Sequence, residues 1–332
     1  MKITTRIFGT LALAMLPLAS KAEGIHRMEF LPDEWHLAGF ENSLDLSGIA
    51  AANPQQCLVG SDESFYIQPG VIDHAKKRIE SKRPIALSIQ NTGKGGMEVD
   101  IEGVAFSPED QAYYVVGSHG LGKKKGDFQP DRHAVYQVPV DQGGKVLRDK
   151  IRRTSLLPWL EKTPVLEDHV KQPLQQNGLN IEGLTYAKGK LFFGLRAPNK
   201  NGRGFVIELA PNDLFTGKPG KLQVHDISIP KGRGIREIAA VKDGFIILSG
   251  NASAEASKKI PVTMAPGPDD RFDVYFWNGT DASDCVKLGS LPQNGGKAEA
   301  LLILEDMRDH VDMLVIFDGL QGGEPMTVRF HR

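Results

Sequence analysis

One pattern of polar and apolar positions returns five times along the chain. A small or charged residue opens a short apolar run, and a few residues later a second, more continuously apolar run closes on a polar residue. The first runs read LSGIA at Ser47, IEGVAF at Glu102, IEGLTY at Glu182, REIAAV at Arg236 and EALLIL at Glu299. The second read CLVGSD, YVVGSH, LFFGLR, FIILSG and LVIFDG. Self-similarity at such intervals is the mark of a radial or stacked β array.

Two further strands follow in most repeats. The third predicts strands at Leu184–Tyr186, Leu191–Gly194, Phe205–Leu209 and Leu222–Ile227, and the fourth at Ile238–Val241, Phe245–Leu248, Phe272–Trp277 and Cys285–Leu288. The first fits Ile49–Ala51, Cys57–Gly60, Phe65–Ile67 and Ile85–Ile89, with a helical stretch expected over Val71–Glu80. The second runs from Val104 through Tyr113–Gly117 and Ala134–Val138 to Arg153–Leu156. Inner runs such as LFFGL are apolar throughout, as in strands buried on both faces, while outer ones such as FDVYFW alternate. That layering predicts an all-β, closed β-propeller of four-stranded blades.

The last repeat supplies only Leu301–Leu304, Leu314–Phe317 and Met326–Phe330 before the chain ends, so Ile25–Phe30 is predicted to complete it and close the ring. Five anchors predict five blades. A sixth, hidden in the long second repeat, would lack both signature runs. The stretch LLPWLEKTPVLEDHVKQPL there is broken by Pro158, Pro164 and Pro173 and reads as one or two short helices.

At 332 residues the chain is long enough for one such domain, expected over 23–332, and its 36 Gly and 20 Pro suit many short strands and turns. Lys2 and Arg6 precede the apolar run Ile7–Ala19, and Ser20-Lys21-Ala22 supplies small residues for cleavage after Ala22. Residues 1–22 therefore read as a secretory signal too short to span a bilayer. No Cys follows the cleavage site to carry a lipid anchor. The expectation is a periplasmic or secreted monomer that is not membrane-embedded. Across the whole chain 40 Lys+Arg balance 41 Asp+Glu, which gives no field that would favour nucleic acid. Cys57 falls on an inner strand of the first repeat and Cys285 on an outer strand of the fourth, too far apart in a ring for a disulfide.

In a blade the first strand leaves one face and the second returns to it, so the openings of the first runs and the ends of the second converge on one mouth of the central channel. Ser47, Glu102, Glu182, Arg236 and Glu299 take the first set of positions, and Asp62, His119, Arg196, Gly250 and Asp318 the second. Glu237 falls one residue off this ring, where the other repeats have Gly or Ala. Charges beside runs such as FFGL are costly unless paired or turned to a working cavity. His119, Glu102 and Glu182 are therefore candidate catalytic groups, and Arg196, Arg236, Glu299, Asp62 and Asp318 candidate ligand-binding ones. Two alternatives stay open: the glutamates tie neighbouring blades together through backbone hydrogen bonds, and the arginines form structural ion pairs with them. Glu102, Glu182 and Glu299 also offer hard oxygen ligands suited to Ca²⁺. Glycine-rich linkers carrying Lys94, Arg233 and Lys297 enter the same face and offer amides and cations for an anion. GSHGLGKK from Gly117 lacks the Ser or Thr a phosphate-binding loop requires after its lysine, and the run Lys123–Lys125 reads as a solvated loop.

The phrases DLSGIA…GSDE, DIEGVAF…GSHG, NIEGLTY…GLRAP, GIREIA and AEALL…FDG resemble the bacterial family known as domain of unknown function 3616, from about Leu44 to Gly319. That family is similar to β-propellers such as esterase-like phytases and calcium-dependent lactonases, so the resemblance implies a propeller and leaves the activity open. The family-like positions are Glu102, His119, Glu182, Arg196, Pro198, Arg236 and Glu299. Two functions follow from the sequence. One is a propeller that binds an anionic or sugar-derived small molecule or a peptide at its mouth. The other is a hydrolase of phosphoesters, esters or lactones, with a ring glutamate or His119 as general base and calcium or arginine at the developing charge. Fold alone does not choose between them.

Overall fold

In the computed structural model, which describes residues 24–87, 98–217, 221–280 and 285–332, the repeats form five sheets, antiparallel within the repeats, arranged as a five-bladed β-propeller. The expected signal segment 1–22, Lys94 with its NTGKGG linker, and the end of the predicted Ile85–Ile89 strand lie outside the described residues. Blade 1 holds β3 (Leu46–Asn53), β4 (Gln56–Ser61) and β5 (Tyr66–Asp73) from the channel outwards. Blade 2 runs β8 (Ile101–Ser107), β9 (Ala112–Gly117), β10 (Val135–Pro139) and β11 (Arg152–Thr154). Blade 3 runs β12 (Asn180–Ala187), β13 (Lys190–Ala197), β14 (Arg203–Leu209) and β15 (Gln223–Ser228). Blade 4 follows with β16 (Arg233–Val241), β17 (Gly244–Asn251), β18 (Asp273–Trp277) and β19 (Cys285–Ser290). Blade 5 takes β20 (Lys297–Asp306), β21 (His310–Asp318) and β22 (Met326–His331), and its outer strand is β1 (Arg27–Glu34) from the other end of the chain.

Closure goes further than one strand. Directly after β1, β2 (His36–Ala38) crosses to blade 1 and pairs in parallel with β6 (Arg78–Ser81). One N-terminal segment thus bridges the last blade and the first. β6 also corrects an expectation: Val71–Glu80 is no helix but the end of β5, a turn and β6, paired through Ile72 and Ile79. Both isoleucines are buried, and their place on the face turned to blade 5 selects strand over helix. β7 (Ile85–Ala86) pairs with the start of β5. In the long second repeat the expected helices are single turns, α1 (Leu157–Leu160) and 3₁₀ turns at Glu167–His169 and Leu174–Gln176, and they cover the interface of blades 2 and 3.

The cores lie between blades. Alternate residues of one strand face opposite neighbours, so an inner strand must be apolar on both faces. On β13 Phe193 packs towards blade 2 and Phe192 towards blade 4; on β9 Tyr113 and Val115 face blade 1 while Tyr114 and Val116 face blade 3. The described residues form five buried clusters, one per interface. The one joining Leu302, Leu314 and Ile316 to Leu37, Ile49 and Val59 closes the ring. Cys57 on β4 and Cys285 on β19 are both free thiols. No helix among the described residues is long and apolar enough to cross a membrane.

Around the channel the first strands nearly touch. A Cβ on Gly48 would lie 3.0 Å from the amide of Val104, one on Gly103 2.9 Å from the amide of Leu184, and one on Gly183 2.9 Å from the amide of Ile238. Backbone cannot retreat as a side chain can, so these glycines set the approach of the blades. Gly103→Val should destabilise the fold by about 1–3 kcal/mol through overpacking. Denaturant titration checks this, and an unchanged midpoint would mean that the ring is looser than it is drawn.

Candidate functional site

Five β-bulges aim the ring residues. In each first strand the pairing register slips by one residue, between Leu46 and Gly48, Ile101 and Gly103, Ile181 and Gly183, Ile235 and Glu237, and Ala298 and Ala300. The extra residues are Ser47, Glu102, Glu182, Arg236 and Glu299. A bulge leaves its extra residue unpaired and re-aims its side chain. The sequence repeat that marked these positions is the repeat of this bulge, followed by Gly, Gly, Gly, Glu and Ala.

Seven of the eight nominated residues line one cavity of about 970 Å³: Asp62, Glu102, Glu182, Arg196, Arg236, Glu299 and Asp318. Phe272, Leu291 and Phe317 give it an apolar wall, and residues of the segment between β17 and β18, among them Ser253, Glu255 and Asp270, cover one side. Ser47 and His119 do not line it.

His119 sits behind the cavity wall rather than on it. It is fully buried, Nδ1 lies 2.9 Å from the Gly117 carbonyl, and Nε2 accepts the Leu156 N–H at 3.2 Å. Burial, with His133 nearby, drives its pKa down to about 3. A neutral imidazole with both nitrogens engaged fixes the Gly117–Gly120 turn against α1 and is not placed to take a proton from a ligand in the cavity.

The arginines sit in a chain of alternating charge that crosses three blades. Arg196 donates to Glu182 Oε1 at 2.7 Å, Arg236 Nε lies 2.8 Å from Glu182 Oε2, and Arg236 also donates to Glu299. The Arg236–Glu182 contact is an ion pair whose N–H is not aimed at the oxygen. Arg196 gives its remaining donors to the carbonyls of Ala252 at 3.2 Å and Ser253 at 2.6 Å. Burial and the neighbouring Arg196 lower the pKa of Arg236 to about 10, which leaves it a cation at neutral pH. The ion-pair alternative therefore describes both arginines. The backbone clasp belongs to Glu237 instead, whose Oε1 accepts the N–H groups of Leu184 at 3.1 Å and Ile238 at 2.7 Å across blades 3 and 4. Burial holds its pKa well above the carboxylate range.

Two further expectations meet the same geometry. The carboxylates of Glu102, Glu182 and Glu299 do not form a group with ligand atoms mutually within 4.8 Å; the one such His/Cys/Asp/Glu group among the described residues is Glu305, His310 and Asp312. Arginines already hold Glu182 and Glu299. Arg233, suggested as part of an anion cradle, is 1% exposed and bound to Asp269 and the Arg271 carbonyl, and Lys297 pairs with Asp318 at 2.6 Å.

The blade 1–blade 2 side of the cavity differs. Glu102, 6% exposed, has no hydrogen-bond or ion-pair partner among the described residues. Asp62 Oδ1 and Asp100 Oδ1 are buried and equally unpartnered, although Asp100 Oδ2 accepts from Arg132 at 2.9 Å. Burial, then Asp100 and Glu182, hold the Glu102 pKa well above the usual range. Burial also raises Asp62 from 3.8 to about 7 against the pull of Lys123. Lys123 is the group the sequence reading missed. It is exposed, as a solvated loop would be, yet it lines the cavity, and Asp100, Glu102 and Asp62 outweigh its desolvation and raise its pKa. The available signal was its place four residues past the end of the second run of blade 2, on the face where the ring gathers.

The family described as "Protein of unknown function (DUF3616)" matches residues 45–138 and 131–324. No curated protein matches the chain. Among solved structures, the periplasmic gluconolactonase of Pseudomonas aeruginosa is 12% identical, with 86% of this chain and 88% of that one covered and a TM-score of 0.42. A putative 6-phosphogluconolactonase from Bacteroides uniformis is 10% identical over 85% and 87%, with a TM-score of 0.41. The virginiamycin B lyase of Staphylococcus aureus is 10% identical over 92% and 100%, with a TM-score of 0.39.

Two predictions follow from the site's charges. Arg236→Leu leaves Glu182 and Glu299 buried without their shared cation and should cost about 3–5 kcal/mol in chemical denaturation. A loss below 1 kcal/mol would show the pair to be hydrated. Asp62 has a folded-state pKa above its unfolded value, so the folded chain binds the extra proton. Its destabilising effect is absent below about pH 4, grows as pH rises, and is complete above about pH 7. Asp62→Asn should therefore raise the denaturation midpoint relative to wild type at pH 8 and leave it unchanged at pH 4.

Proposed function

The chain belongs to the DUF3616 family of proteins of unknown function, and we propose that it is a binding propeller that takes a small polar, sugar-derived ligand into its mouth cavity outside the cytoplasm. The observation that carries this reading is the split of the cavity. Its arginines are neutralised by Glu182, Glu299 and backbone carbonyls, whereas Glu102 and Asp62 face the space with free acceptor oxygens. An apolar wall with a few convergent polar groups is the usual build of a small-ligand site. Phe272 and Phe317 line the same cavity as the carboxyl groups and offer that wall. The N-terminal apolar run behind Lys2 and Arg6 supports export.

Hydrolysis is the second reading, and one observation favours it. A buried carboxyl whose pKa is raised by burial and acidic neighbours, and which lines a cavity, is a candidate proton donor, and Glu102 is such a group. The arginines, tied as they are, do not strengthen the case.

Protein secreted from a bacterial host, expected to begin at Glu23, should be screened by thermal shift and calorimetry against sugars, sugar acids, phosphorylated small molecules and dipeptides. Binding that is lost in Glu102→Gln and Phe272→Ala is expected. Hits indifferent to both substitutions would place the ligand elsewhere, and turnover of ester or lactone probes abolished by Glu102→Gln would move the protein to the hydrolases.

A further inference from the structure

The cavity contains one class of recognition chemistry that its own residues leave unanswered. On the blade 1–blade 2 side stand acceptors without donors, Glu102 and Asp62; Asp100, which does not line the cavity, has a buried unpartnered Oδ1 as well. Facing them is a cation without a close partner, since Lys123 makes no ion pair within 4 Å among the described residues, although its charge is felt by Asp62, Asp100 and Glu102 alike. The other cavity cations are taken, Arg196 and Arg236 by the ring glutamates and Lys297 by Asp318.

Resting on the binding reading above, we infer that the ligand is a neutral polyhydroxylated molecule whose neighbouring hydroxyls bridge Lys123 to Glu102 and Asp62. Three chemistries compete for this space. An anion would satisfy Lys123 but enter a cavity whose lining holds seven carboxyl groups against four cations, three of those cations already paired. An ammonium would satisfy the carboxyl groups and meet Lys123 as a like charge. A hydroxyl accepts from the ammonium and donates to a carboxyl oxygen, whichever protonation state the latter holds. Two adjacent hydroxyls answer both sides at once, and hydrogen bonds to charged groups are the strong kind.

Lys123 stands in place for a stated reason. Its turn is closed by Gly122 N–H to the Asp127 carbonyl at 2.9 Å and Gly126 N–H to the Gly122 carbonyl at 2.8 Å. The buried side-chain amide of Gln175 donates to the Lys123 carbonyl at 2.9 Å and to the Glu255 carbonyl at 3.2 Å. Gln175 therefore joins the two loops that flank the cavity and acts as a positioning residue for Lys123.

The test is ligand-observed NMR titration of the full chain with glucose, sorbitol and myo-inositol as neutral polyols, gluconate and inorganic phosphate as anions, and putrescine as an amine. The polyols are expected to bind. Glu102→Gln and Lys123→Ala should each weaken them about tenfold or more. Lys123→Ala lies on an exposed turn, and retention of its melting temperature separates lost contact from lost fold. Gln175→Ala should weaken binding non-additively with Lys123→Ala, as expected if it acts through that lysine. Anions or putrescine binding where polyols do not would overturn this inference and leave the mouth as a binding site. Polyols binding Lys123→Ala as tightly as wild type would overturn it too. No probe of any class binding would bring down the binding reading with it.

Discussion

The whole arrangement depends on how closely five inner strands approach one another around the channel. At Gly48, Gly103 and Gly183 the next blade's backbone fills the space a side chain would need. Each of these residues follows a bulge. The bulge turns the preceding side chain off the sheet, and the glycine lets the neighbouring strand close in behind it. Tight packing and a charged mouth are therefore two effects of one local irregularity. At the fourth blade Glu237 replaces the small residue, and its Oε1 accepts the N–H groups of Leu184 and Ile238.

Electrostatics then divide the mouth. Towards blades 3, 4 and 5 the charges alternate and cancel from Arg196 through Glu182 and Arg236 to Glu299. Such a buried chain contributes little net stability, yet removing one link leaves an uncompensated charge. Towards blades 1 and 2 the acidic groups outnumber their partners, and their proton affinities rise accordingly. The first region is finished structure. The second is unfinished, which is the condition a ligand can meet.

Much of the ring was legible in the sequence because its period is enforced by geometry. Every first strand needs the same bulge, so Glu102, Glu182, Arg236 and Glu299 recur at one place in a phrase, and runs such as LFFGL announce burial on both faces. What a residue does at the mouth was not legible, because pairing joins different blades. Nothing near Arg236 in sequence points to Glu299, and nothing near His119 points to the Leu156 amide that occupies it. Lys123 was hidden by composition: a lysine run looks solvated whether or not one member faces a cavity. Val71–Glu80 was misread because its charged outer residues mask the alternation of Ile72 and Ile79.

The segment carrying β1 and β2 sets an order on assembly. β1 pairs with β22 from Arg27 opposite His331, and β2 joins blade 1, so residues made near the start find their partners only after those made last. Until the final strand emerges, blades 1 to 4 exist as an arc with two raw sides. Contacts of such sequence separation slow folding, and the nascent arc exposes apolar edges for the longest interval of its synthesis. The ring seals only when β20, β21 and β22 meet β1, so its two ends are the last contacts to form.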